Sequence, residues 1–203
     1  PHAMTLFMLE AGMAGFERGR NLKKLGMKSQ DTAELFFNDV KVPEANILGQ
    51  ADSGFYYLMQ MLAQERLTNA CCAIAGAKAA YDVTKAYVLE RKAFGREIAK
   101  FQNTRFKMAE MKTEIDIGQV FVDRCVMDHN AGKLQDDIAA EAKLWTTELL
   151  CKVVDQCVQL HGGAGYMWEY PITRMYANAR IQRIFAGTSE IMKEIIGRAN
   201  GFA

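Results

Sequence analysis

The stretch from Gly54 to Arg91 runs without a proline and with helical spacing throughout, and one helix of that length sets the scale of whatever folds around it. Asp52 and Ser53 suit its start, while Arg91 and Lys92 suit its C-terminal end, where cations meet the negative end of the peptide dipoles. Stepping in helical turns, Leu58, Met61, Leu62, Glu65, Asn69, Cys72 and Gly76 share one face. That face is apolar apart from Glu65 and Asn69, which predicts a core-facing stripe bearing one carboxylate. A bare buried carboxylate is costly, so Glu65 is expected either to pair with a basic neighbour such as Arg66 or to do chemistry.

The pattern stays helical to the end of the chain. A second helix is predicted from about Phe101 to Ala131, with Met108, Met111, Ile115, Val122 and Val126 on one face and Gly132 as its stop. A third begins near Asp136 or Asp137 and runs to about Leu160. Ile138, Ala142, Trp145, Leu149, Val153 and Cys157 form its stripe, and Gly162-Gly163 closes it. A shorter helical piece lies at 172–183, and Gly187-Thr188-Ser189 caps a last helix, Glu190–Arg198. Short connections make such helices antiparallel neighbours. Residues 1–50 read otherwise. Met4–Leu9 is apolar, glycines follow at 12, 15, 19 and 26, Ala33, Leu35 and Phe37 alternate with Glu34 and Asn38, and Val40 and Val42 lead to Pro43. The expected fold is mainly α: an up-down four-helix bundle over 51–203, preceded over 1–50 by the end of a β-domain. The chain opens on Pro1, which suggests the later portion of a longer protein.

Composition narrows the function. Half of the 203 residues are hydrophobic, enough for a core without metal or disulfide support. Mixed charges, 25 basic against 24 acidic, give no reason to expect nucleic acid or an anionic membrane as partner. No apolar run has the length of a membrane span. Cysteines stand at 71, 72, 125, 151 and 157, an odd number without a Cys-x-x-Cys pair, and the three histidines (His2, His129, His161) are scattered. Buried free thiols in a reducing, intracellular compartment and no metal site are expected.

Chemistry could sit at two glycine-containing breaks, His161-Gly162-Gly163-Ala164-Gly165 and Ala186-Gly187-Thr188-Ser189, where bare backbone can approach a flat or phosphorylated ligand. Taken singly, each reads first as helix punctuation. The basic linker Arg91-Lys92-Ala93-Phe94-Gly95-Arg96 likewise reads first as an ordinary charge cluster after a helix.

Together these pieces resemble the C-terminal half of the acyl-CoA dehydrogenases. The resemblance is carried by Glu90-Arg91-Lys92-Ala93-Phe94-Gly95 with Phe101-Gln102, by Gln159-Leu160-His161-Gly162-Gly163 with Gly165-Tyr166, and by Ala186-Gly187-Thr188-Ser189-Glu190. It runs through essentially the whole chain and is greatest for the long-chain type, with the isovaleryl type next. It implies a flavoenzyme that converts a fatty acyl-CoA thioester to a trans-2-enoyl-CoA, usually a homotetramer built as a dimer of dimers. Electron-transfer flavoprotein would be the electron acceptor, in the bacterial cytoplasm or mitochondrial matrix. By matching positions, Arg91, Phe94, Gln102, Thr188, Ser189 and Glu190 would contact FAD, Gln159, Leu160, His161, Gly162 and Gly163 would reach the FAD of a neighbouring subunit, and Tyr56, Ala63, Gln64, Arg66, Ala186 and Gly187 would line the acyl site. Many members carry the catalytic glutamate where this chain has Ala186. The isovaleryl and long-chain types place it on the long helix in a Glu-Arg-Leu context, matched here by Glu65-Arg66-Leu67, so the resemblance assigns the α-proton base to Glu65. An acyl-CoA oxidase, or a helical assembly domain that no longer catalyses, remain the alternatives.

Overall fold

The computed structural model describes residues 3–202, which divide into two compact units at Leu62 and Ala63. In the first unit, β1 (Phe16–Asn21) pairs antiparallel with β2 (Ala33–Phe37), Phe16 facing Phe37, with an irregularity between Arg18 and Asn21. The Phe16 and Phe37 rings stack with centroids 5.3 Å apart. Val40 and Val42 form no strand, against the strand-like pattern of that segment. Asp39 takes a left-handed φ of 48° that turns the chain, and a 3₁₀ turn, Glu44–Asn46, follows Pro43. Residues 4–8 lie along 46–54 through backbone bonds such as Leu48 N–H to Leu6 O (2.9 Å) and Gly54 N–H to Met4 O (2.7 Å). A side chain at Gly54 would come within 2.8 Å of that Met4 oxygen, so glycine permits the approach.

The long helix α1 (Gly54–Glu90) begins in this unit and continues through the second. After it the linker folds back as a two-residue hairpin, β3 (Lys92–Ala93) with β4 (Arg96–Glu97). Phe94 and Gly95 turn it with φ of 51° and 79°, the paired left-handed geometry that tight hairpins use. Helices α2 (Gln102–Asn130), α3 (Asp136–His161), α4 (Pro171–Ala179) and α5 (Ser189–Ala199) follow, α3 packing against α2, α4 and α5. The expected mainly helical architecture is present, and helix ends fall within a residue or two of the glycine and capping signals.

The core corrects one expectation. The buried face of α1 is Leu67, Ala70, Ala73, Ile74, Ala77 and Ala80, not the stripe through Glu65. Leu58, Met61, Glu65 and Cys72 are exposed. Small side chains let helices approach closely: a Cβ added at Gly118 of α2 would lie 2.9 Å from Ile74 Cδ1 of α1 and 3.4 Å from Leu149 Cδ2 of α3. The α2 and α3 stripes lie as expected apart from Trp145, which is 48% exposed.

Candidate active site

The first concentration of polar groups lies where α1 and α3 end. A cleft of about 480 Å³ is bordered by Tyr87, Arg91, Gln159, His161, Gly162 and Gly163, among others. The His161 ring is buried and stacks on Tyr87 with centroids 4.2 Å apart. Its Nδ1 bonds the Cys157 carbonyl at 2.8 Å, and burial holds its pKa below the ordinary 6.5, so the ring is neutral with Nδ1 as donor. Tyr87 Oη donates to the His161 carbonyl (3.2 Å), fixing the end of α3 just before Gly162 turns left-handed at φ 60°. A Cβ at Gly162 or Gly163 would meet nothing within 4 Å. That space belongs to no atom of this chain.

At one side stands the hairpin turn. Phe94 is 96% exposed, its ring edge-on to Phe101 at 6.3 Å, and Arg96 lies over the Phe101 face at 4.3 Å. Gln102 is exposed at the first position of α2. Arg91 is exposed and holds the hairpin by accepting the Ile98 N–H at 2.9 Å.

The second concentration surrounds the start of α5. Ala186 and Gly187 are both left-handed (φ 52° and 92°), and Thr188 caps the helix by accepting the Ile191 N–H at 3.3 Å. Glu190 follows in the first turn; its own backbone N–H and the Thr188 hydroxyl hold its carboxyl below the usual range. Ser189 is buried and its hydroxyl donates to Glu148 Oε1 at 2.8 Å, so only its backbone is free for a ligand. Arg183 Nε donates to the same Glu148 oxygen at 2.8 Å. Lys143 of α3, wholly buried, donates from Nζ to the Gly187 carbonyl at 2.6 Å.

On α1, Ala63 is half-buried and Gln64 and Glu65 are exposed, whereas Arg66 and Asn69 are each only 7% exposed. Glu65 forms no salt bridge among the described residues, so the pair with Arg66 is not made. Arg66 Nε and both polar atoms of the Asn69 amide are buried without a partner in the chain. Tyr56, in the first unit, is 55% exposed beside Phe55. Of the residues named from sequence, Arg91 and Gln159–Gly163 come together at the cleft and Ala186–Glu190 at the α5 cap. Lys143, Glu148, Arg183 and Tyr87 were not anticipated, and Asn69 was noted only as a polar residue on the stripe of the long helix. A lysine at helical spacing between Ala139 and Thr147 of the same buried face was the available signal for Lys143.

These groups fit part of a dinucleotide such as FAD. The cleft joins a cation, an amide and two glycines with open space before them, a combination suited to hydroxyl and phosphate oxygens. No group of three or more His, Cys, Asp or Glu is placed to hold a metal among the described residues, outside which His2 lies. No helix is long and apolar enough to cross a membrane, again among those residues.

Residues 52–200 match the family model for the acyl-CoA dehydrogenase C-terminal domain. The chain is 51% identical to the mitochondrial long-chain specific acyl-CoA dehydrogenase of Sus scrofa over 97% of its own length and 46% of that protein's. It is 40% identical to the mitochondrial isovaleryl-CoA dehydrogenase of Oryza sativa subsp. japonica over 96% of its length and 48% of the relative's. Among solved structures, an acyl-CoA dehydrogenase from Geobacillus kaustophilus superposes with a TM-score of 0.95 at 48% identity, over 97% of this chain and 52% of that one. One from Bacillus anthracis, complexed with FAD, gives 0.91 at 29% identity, over 97% and 37%. The chain thus spans about half the length of the curated relatives it matches, and it belongs to the acyl-CoA dehydrogenase family.

Proposed function

We propose that the protein containing this chain dehydrogenates a fatty acyl-CoA thioester between Cα and Cβ, with Glu65 as the base. The observation that carries the assignment is the state of Glu65: exposed and free of any salt bridge among the described residues, next to an arginine turned inward. At the alternative position Ala186 offers no ionisable group. The Cα proton passes to a Glu65 carboxylate oxygen as the Cβ hydrogen leaves with its electron pair, forming the 2-enoyl double bond. FAD, when bound, supplies the acceptor for that hydride.

The chain's own residues bind and orient. Arg91, Gln159 and Gly162–Gly163 would hold dinucleotide oxygens at the cleft, with Phe94 and Gln102 alongside. The backbone of Thr188 and Ser189 and the Thr188 hydroxyl would offer hydrogen bonds at the α5 cap. Ala63, Gln64, Arg66, Ala186 and Gly187 would line the acyl site, the small Ala186 leaving room where a carboxylate would intrude. Residues 1–50 are read as the end of a β-domain. Electrons would pass on to an electron-transfer flavoprotein. A homotetramer would cover apolar side chains exposed on α2, namely Phe106, Ile117, Val120 and Met127, and Trp145 of α3.

The test is Glu65→Gln in the full-length protein: flavin content should be unchanged while reduction by acyl-CoA is lost. Retained reduction would remove Glu65 as the base.

A further inference from the structure

Lys143 is the one lysine wholly buried among the described residues, and its position is costly. Among the described residues no carboxylate lies within ion-pair reach of it, and Glu148, on the same helix, is occupied by Arg183 and Ser189. Burial pushes the Lys143 pKa below its ordinary value and the like charge of Arg66 adds to this, while the more distant carboxylates Glu148 and Glu190 oppose it only in part. Among the described residues, the only hydrogen-bond partner of the ammonium is the Gly187 carbonyl, 2.6 Å away. That carbonyl closes a turn in which two successive residues are left-handed, one of them an alanine. An L-residue with a side chain resists this conformation by about 1–2 kcal/mol, so something must hold Ala186 there.

We propose that Lys143 is a positioning residue: through the Gly187 carbonyl it clamps the Ala186–Gly187 turn and so sets where that turn meets the acyl thioester. The inference rests on the reading of Ala186 and Gly187 as acyl-site residues. A lysine serving only the core would be replaceable by an apolar side chain of similar length, since uncompensated buried charge destabilises. The same replacement would free the turn and misplace the substrate's reacting carbons.

The experiment uses the full-length protein carrying FAD, with Lys143→Met. The variant is expected to fold and retain its flavin, to keep the KM for a long-chain acyl-CoA within about twofold, and to lose about 10- to 100-fold in kcat. Lys152→Met, on the outer side of α3, should leave kcat at the wild-type level. Unchanged kcat would overturn the proposal. So would failure of Lys143→Met to fold, which would make Lys143 a core residue. A second reading needs no substrate: the shift in unfolding midpoint caused by Lys143→Met, measured with and without Ala186→Gly. Glycine tolerates φ 52° unaided, so the shift should fall to about half or less in that background. Equal shifts would overturn the clamp. A wild-type protein inactive on every acyl-CoA would instead overturn the acyl-site reading, leaving the clamp to be judged by this cycle alone.

Discussion

Gly118 of α2 faces Ile74 of α1 and Leu149 of α3, and its replacement by alanine should test whether that contact sets the bundle's geometry. The new methyl would stand 2.9 Å from Ile74 Cδ1, 3.4 Å from Leu149 Cδ2 and 3.5 Å from the Trp145 indole nitrogen. Ile74 and Leu149 are both buried, so neither can swing away into solvent. Overpacking of this kind costs about 2–3 kcal/mol. Against it stands the gain of about 1 kcal/mol from exchanging glycine for alanine within a helix. The net expectation is a loss of about 1–2 kcal/mol, or a midpoint lowered by about 2–8 °C for a chain of this size. Gly76→Ala is the internal reference. It collects the same helix gain, but its nearest neighbour, Leu150 Cδ1, is at 3.3 Å, and the next atom is at 3.7 Å. It should therefore be neutral or stabilising by up to about 1 kcal/mol. Urea unfolding of both variants decides the matter. If Gly118→Ala is as stable as Gly76→Ala, the three-helix contact does not constrain the packing.

Two more expectations follow from buried titratable groups. His161 has a folded pKa below its ordinary 6.5, so as pH falls below 6.5 the unfolded chain binds a proton that the folded one refuses. Stability should decline from there until the folded pKa is passed, and His161→Phe should flatten that decline in urea midpoints measured between pH 7 and pH 5. Burial pushes the Cys157 thiol up to about 11 and raises those of Cys71, Cys125 and Cys151, while Cys72 alone is exposed. Cys72 should therefore react first with a disulfide reagent at pH 8, and Cys157 only on unfolding; early modification of Cys157 would contradict its packing.

Helix boundaries were legible because the chain marks them with groups whose physics is local: Gly132 and Gly162 take positive φ, and Thr188 caps with its hydroxyl. The buried face of α1 was not. Its alanines carry little hydrophobic signal one by one, yet they permit the close approach that excludes water, while the larger Leu58 and Met61 face outward. Glu65 was singled out as a carboxylate on a core-facing stripe, but the face that carries it is exposed. The residue beside it, Arg66, is the one turned inward. The polar cluster around Gly187 escaped notice because a lysine on a helix is ordinarily read as solvated. Only the packing of α3 against α5 shows that Lys143 has no route to water.

The most direct test of the central assignment is anaerobic absorbance of the full-length protein with bound FAD, recorded before and after a long-chain acyl-CoA, for wild type and Glu65→Gln. The expected result is bleaching of the flavin band in the wild type and an unchanged band in the variant at equal flavin content. Bleaching of the variant at the wild-type rate would contradict the account and place the base elsewhere.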